Sequence, residues 1–240
     1  MTAADTLAPV TELVGHLRAR AGALDPSAGD LASAELIADP DHLAAVVAAT
    51  GDGRGSTDPQ VLASLWWQAY AYRVGGTVLA AWALGGAAPD PSATPDDPAG
   101  IGVTVARSRP AGLVVAADAA VLADLDELVD RLFTRHLEPL AMALRARHSL
   151  GERLVWGNVA AGFGAALGAV ASAPGAPDVR PAIAQIRGAL PHDVDRLGDW
   201  QPDTWDFQRT TCCLWWKTTV AAGSLCADCS LTTAPEGTLR

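Results

Sequence analysis

The chain has 240 residues, 50% of them apolar, and a mass of 24.7 kDa, which suits one large domain or two modest lobes with a substantial core. Its formal net charge of −10 and pI of about 4.8 argue against nucleic acid, whose binding rests on clustered Lys and Arg, and against electrostatic docking on an anionic membrane. That balance permits an encounter with a cationic or neutral ligand, although an acidic surface also serves plain solubility.

Met1-Thr-Ala-Ala-Asp5 offers neither a basic start nor an apolar stretch, so no secretory signal is expected and a cytoplasmic location follows. Leu7, Val10, Leu13, Val14, Leu17, Ala21 and Leu24 recur at helical spacing after a cap at Asp5 or Thr6. Asp39-Pro40 opens a second helix through Leu43, Val46 and Val47, and Gly51-Asp-Gly-Arg-Gly55 reads as a loop. A long helix is expected from Ser56-Thr-Asp-Pro59 to about Leu84, ending at Gly85-Gly86. Residues 87–100, with four prolines and three aspartates, read as a linker.

Ile101, Val103 and Val105 alternate, a Ser-Arg-Pro-Ala turn follows, and Leu113-Val-Val-Ala returns: an antiparallel hairpin with a basic tip at Arg107 and Arg109. A helical stripe runs from about Leu122 to Leu137 and carries His136; Pro139 should kink or end it. Gly151 to Ala173 reads as an apolar helix, and Asp178 to Leu190 as another, stopped by Pro191. The uncharged run Leu154–Pro177 is long enough to cross a membrane. Its Ala and Gly content, with Asn158 and Ser172, favours close packing inside a core instead, so no transmembrane segment is expected, and peripheral attachment is left open. The fold class is α+β, mainly α-helical, with a small antiparallel β-hairpin and an irregular Cys-rich C-terminal segment. The division is 1–199 for the helical body and 200–240 for that segment.

All four cysteines lie in the last thirty residues: Cys212-Cys213, twelve residues, then Cys226-Ala-Asp-Cys229. Four cysteines within eighteen positions point to one site that needs four thiolates, either an iron–sulfur cluster or zinc. Zinc sites of this kind usually use two C-x-x-C knuckles, and only one is present. Adjacent side chains diverge, which a wider two-iron cluster tolerates better than a single tetrahedral ion. Disulfides are the third reading, disfavoured in a reducing compartment. On the residues alone, cluster, zinc and disulfides all stay open.

The segments Arg209-Thr-Thr-Cys212-Cys213-Leu and Leu225-Cys226-Ala-Asp-Cys229-Ser-Leu resemble the C-terminal signature of the FhuF-like ferric siderophore reductases. The likeness extends to Leu154-Val-Trp-Gly-Asn158-Val-Ala, to Ser64-Leu-Trp-Trp-Gln-Ala-Tyr70-Ala-Tyr72-Arg73 and to His136-Leu-Glu-Pro139-Leu, with the cysteines as its specific part. The spacing from Leu214 to Leu225 is longer than the family pattern, the extra length falling near Thr218–Gly223. The resemblance implies a 2Fe-2S cluster on Cys212, Cys213, Cys226 and Cys229. It also implies one-electron reduction of a ferric siderophore, with electrons from a ferredoxin-like or flavin-dependent donor.

No dinucleotide fingerprint, P-loop or Ser-His-Asp spacing is present, so electrons must come from a partner. Arg73, Arg107 and Arg109 are candidate substrate contacts, with Arg73 read first as the partner of a buried carboxylate. Trp200, Trp205, Trp215 and Trp216 read as an apolar lid over the cysteines, and Trp66, Trp67 and Trp82 as core. His136 reads as a hydrogen-bonded core histidine, and Asn158 as a satisfier of backbone groups. Arg209 and Lys217 flank the cysteines, where their charge favours a reduced centre or merely solvates a loop. Two rival functions remain: an electron-transfer module without its own substrate, and a zinc-stapled binding protein.

Overall fold

The computed structural model describes residues 1–93, 100–106, 109–201, 207–233 and 235. Helix α1 (Ala3–Leu13) is capped by Thr2, which exchanges hydrogen bonds with Asp5 in a capping box, so the cap lies ahead of Asp5 and Thr6. The chain leaves the helix at Val14, and Arg18–Ala21 is strand β1, not a continuation of the helix. Strand β2 (Asp30–Ala32) leads into α2 (Ser33–Ala38) and α3 (Pro40–Ala48). In α3, Asp39 caps the backbone amides of Asp41 and His42 and Pro40 stands at the first turn, as expected. Gly51–Arg54 is one helical turn, α4, closed by Gly55 in the left-handed region.

The long helix of the sequence reading is two. Helix α5 (Pro59–Arg73), capped by Asp58, is followed after Val74 by α6 (Gly75–Gly85). The break falls where Gly75 and Gly76 lie against Phe163 and Ala166, closer than any larger residue would permit. Residues 87–93 then run through the interior rather than as an exposed linker. Ala87, Ala88 and Ala93 are buried, and Ala88–Pro89 (β3) pairs with Val121–Leu122 (β6). Residues 94–99 of the expected linker lie outside the described residues.

The expected hairpin is β4 (Ile101–Ala106) and β5 (Arg109–Val115), antiparallel with Val103 opposite Leu113 and a register shift between Thr104 and Val105. It is the centre of a four-stranded sheet in the order β1-β5-β4-β2, with β1 parallel to β5 and β2 antiparallel to β4. Helix α7 (Leu125–Leu132) passes through a wide π turn, Phe133–Leu137, into α8 (Glu138–Arg145). Pro139 therefore does not end the helix; the π turn precedes it, and Pro139 falls in the first turn of α8, where no amide is needed. The apolar helix is α9 (Glu152–Ala171), followed by α10 (Arg180–Ala189) and the short α11 (His192–Asp195). Strands β7 (Gly198–Trp200) and β8 (Phe207–Arg209) form an antiparallel pair ahead of the cysteines.

The architecture is thus α+β and mainly helical. Its centre is α5, which packs along α9 and against β5, with Trp66, Trp67 and Tyr70 fully enclosed. Trp67 Nε1 donates to the Val155 carbonyl on α9 at 2.9 Å. Among the described residues α9 is the one helix long and apolar enough to cross a membrane, and it is mostly buried inside the fold. His136 is enclosed as expected. Its Nδ1 lies 2.6 Å from the Pro91 carbonyl, which can only accept, so Nε2 accepts from the Tyr70 hydroxyl at 2.6 Å. Tyr70 in turn accepts from Ser33, so the side-chain polar atoms of Ser33, Tyr70 and His136 are all satisfied.

Candidate functional site

Every fourth residue along one face of α5 is polar: Ser64, Gln68 and Tyr72. That stripe meets the C-terminal segment. Ser64 Oγ donates to the Cys213 carbonyl at 2.9 Å, and Asn158 Nδ2 donates to Ser64 at 2.9 Å, to both its carbonyl and its hydroxyl. Asn158 Oδ1 accepts from Arg209 Nη2 at 2.6 Å. The Arg209 side chain is wholly buried. Its Nε donates to the Thr211 carbonyl, its Nη1 reaches Gln68 Oε1 at 3.3 Å, and Asp228 Oδ2 lies 4.0 Å away. Arg209 is therefore no solvated loop charge. It joins α5, α9, the Cys212-Cys213 turn and the C-x-x-C turn through one planar group.

Glycines on α9 permit this docking. A Cβ at Gly157 would overlap the Thr211 side chain, and one at Gly164 would overlap Phe207. Between Cys213 and Trp215 the backbone turns at Leu214 with φ 69°, a costly conformation for a non-glycine residue. The turn sends the Leu214 amide back to Cys212 Sγ at 3.4 Å, and the Leu231 amide does the same for Cys229 Sγ at 3.4 Å. Cys213 points inward against Val61 and Leu65, with Trp215 and Cys226 beside it.

The Cys213 and Cys226 sulfurs are 3.4 Å apart. Cys213 is drawn down to about 6, first by the hydrogen bond from the Cys226 thiol, with the Arg209 charge and the Trp215 amide adding to it against burial. Donating that hydrogen bond, together with burial and the neighbouring thiolates, pushes Cys226 up. The donor chemistry suits a thiolate-bound metal group: soft sulfur ligands with backbone amides aimed at them. The fold brings two of the four cysteines into contact. Among the described residues no three His, Cys, Asp or Glu side chains are gathered into a ready ligand set.

One cavity adjoins this pair and shares lining residues with a second. The first, of about 290 Å³, is lined by Leu65, Gln68, Cys213, Trp215 and Cys226, together with Arg54, Ala69 and Tyr72. The last three also line a second cavity of about 540 Å³ that contains Arg73 and Arg109. Among the described residues Arg73 has no carboxylate partner. Its guanidinium lies 4.9 Å from the Tyr72 ring centre, and its Nη1 is buried without a hydrogen-bond partner. Arg107, the other half of the basic hairpin tip, lies outside the described residues.

The tryptophan lid is smaller than expected. Trp215 covers Cys213, with Arg54 5.5 Å from its ring centre, and half-buried Trp216 carries Lys217 at 5.7 Å. Trp200 instead packs on Phe207 and Arg187, and Trp205 lies outside the described residues. Sequence reasoning missed Ser64, Gln68 and Arg54. The first two were legible as polar positions four apart on an apolar helix, and Arg54 as the one cation inside a glycine-rich turn. No protein-family model matches the chain, and no curated protein matches it significantly.

Proposed function

We propose that this protein is a cytoplasmic ferric siderophore reductase, holding a 2Fe-2S cluster on Cys212, Cys213, Cys226 and Cys229. The observation that carries the reading is the placement of the Cys213–Cys226 pair at the wall of a cavity that shares Arg54, Ala69 and Tyr72 with a cationic one. The resemblance of the cysteine-bearing segments to the FhuF-like reductases supports it. The bound cluster would supply one-electron transfer, and a ferredoxin-like or flavin-dependent donor the electron.

The chain's own residues do the rest. Arg209 and the Trp215 amide favour the thiolate form at Cys213. Leu65 and Trp215 pack against Cys213 and make that side apolar. The chelate sits in the adjoining cavity, where its iron gains one electron and no bond to carbon is made or broken. Fe²⁺ is held less well than Fe³⁺ by the hard oxygen donors of such chelators, so the metal leaves without loss of the ligand. No side chain acts as acid or base.

The test is an anaerobic visible spectrum with iron, sulfide and zinc analysis. Equal iron and sulfide, with bands that bleach on dithionite and return on adding a ferric siderophore, is the expected result. A colourless protein with stoichiometric zinc would reduce the C-terminal segment to a structural staple and end the reductase reading. Cys213→Ser should abolish both the colour and iron release.

A further inference from the structure

The cavity of about 540 Å³ beside Tyr72 is lined by four arginines, Arg18, Arg54, Arg73 and Arg109, together with His16 and, among the described residues, no Asp or Glu. They come from four separate places: β1, α4, α5 and β5. Elsewhere the half-buried and buried arginines are matched: Arg131 with Asp90, Arg187 with Asp195, Arg209 with Asp228. Among the described residues none of these four forms an ion pair. Arg54 Nε and Arg73 Nη1 are buried without any hydrogen-bond partner. Arg73 is lowered by burial, with Tyr72 opposing and Arg18 and Arg109 adding to it, and Arg54 is lowered by burial and then by Arg109, with Cys213 opposing. A protein of net charge −10 has carboxylates to spare, yet among the described residues none lines this cavity. Arg54, Arg73 and Arg109 are partly buried and Arg18 is exposed beside them; unpaired charges gathered in this way raise the energy of the empty protein and are relieved by an anion.

We propose that this basin is the chelate site of the reductase and that it selects a polyanionic ferric chelate, of tris-catecholate type, over neutral tris-hydroxamate chelates. This rests on the reductase reading for its ligand class. The volume suits a compact metal complex. Several guanidinium groups present flat arrays of N–H donors to its phenolate oxygens. Arg54, Ala69 and Tyr72 are shared with the cavity at Cys213 and Cys226, so the basin lies next to the sulfur pair's cavity. The acidic composition would turn polyanions away from the rest of the surface and leave the basin as their one attractive entry.

The experiment uses gallium(III), which matches Fe³⁺ in charge and oxygen-donor preference but accepts no electron, so binding is read apart from turnover. The full-length protein is titrated, by quenching of its tryptophan fluorescence, with a trianionic gallium complex of a hexadentate tris-catecholate and a neutral gallium complex of a hexadentate tris-hydroxamate. The expected result is binding of the trianion at least about tenfold tighter, weakening steeply with added salt. Arg73→Gln and Arg109→Gln should each weaken the trianion by about tenfold and leave the neutral probe unchanged. Equal or tighter binding of the neutral complex, or indifference to both substitutions, would overturn the proposal. If the gallium trianion binds through these arginines but its ferric counterpart is not reduced, the reductase reading falls and the anion site stands. If a ferric tris-hydroxamate is reduced while the gallium trianion does not bind, the reverse holds.

Discussion

Arg209 shows how much one side chain can organise. Its guanidinium is wholly buried and binds Thr211, Asn158 and Gln68, so three elements share one charge. Lysine has one point donor where arginine has a fork, so Arg209→Lys leaves Asn158 Oδ1 or the Thr211 carbonyl unpaired in the interior. The expected loss is on the order of 2–4 kcal/mol in urea unfolding, against a few tenths for the exposed Arg153→Lys. His136 makes a second prediction. Burial holds it down to about 4, against 6.5 for an ordinary histidine, while the Pro91 carbonyl opposes the shift. As pH falls below 6.5 the unfolded chain takes up a proton that the folded state refuses until about 4. Stability is therefore lost through that window, by on the order of 3 kcal/mol, and is unaffected by this group above it. Urea midpoints from pH 7 to 4 should show the loss, and His136→Gln should flatten that part of the profile.

At the scale of elements, α9 is decided by its glycines. A Cβ at Gly162 would stand 2.7 Å from the Tyr72 backbone nitrogen and 3.0 Å from the Ala71 carbonyl carbon, both fixed parts of α5. Alanine is the better helix former by about 0.5–1 kcal/mol. Crowding against backbone costs about 1–3 kcal/mol and wins. Gly162→Ala should therefore lower the thermal midpoint while leaving helical circular dichroism unchanged; a raised midpoint would show that α5 and α9 can separate freely. Helices α3 and α5 begin where the sequence places them, because Asp39-Pro40 and Asp58-Pro59 are local signals. Leu17, Ala21 and Leu24 keep helical spacing, yet Arg18–Ala21 is a strand. Gly15 interrupts the helix, and the strand's reward is its pairing with β5, some ninety residues further on. No window of neighbouring residues contains that partner.

At the scale of the whole molecule, apolar helix and acidic surface belong to one arrangement. Helix α9 is long and apolar enough for a membrane, but α5, α6 and β8 cover it. In detergent-free buffer its amides from Val155 to Leu167 should be among the slowest to exchange with deuterium, close to the global unfolding limit. Rapid exchange there would mean that its partners do not hold it. The net charge of −10 permits a cationic or neutral ligand; locally, four arginines with no carboxylate beside them among the described residues make the opposite field. A net charge sums over the surface, whereas a ligand meets the few groups that line one cavity.

The amino-acid sequence by itself determined the features whose causes are local: capped helix starts, the alternating hairpin, tryptophans at helical spacing in the core, and four cysteines gathered in one tail. It also located Asn158 and His136 as buried polar groups, since an uncharged helix and an apolar stripe leave such residues little else to do. Only the tertiary structure decided that β1 and β2 flank the hairpin, that Arg209 ties the tail to α5 and α9, and that Arg18, Arg54, Arg73 and Arg109 share one cavity. Each of these depends on residues far apart in the chain, and their energies exist only once the chain has closed around them.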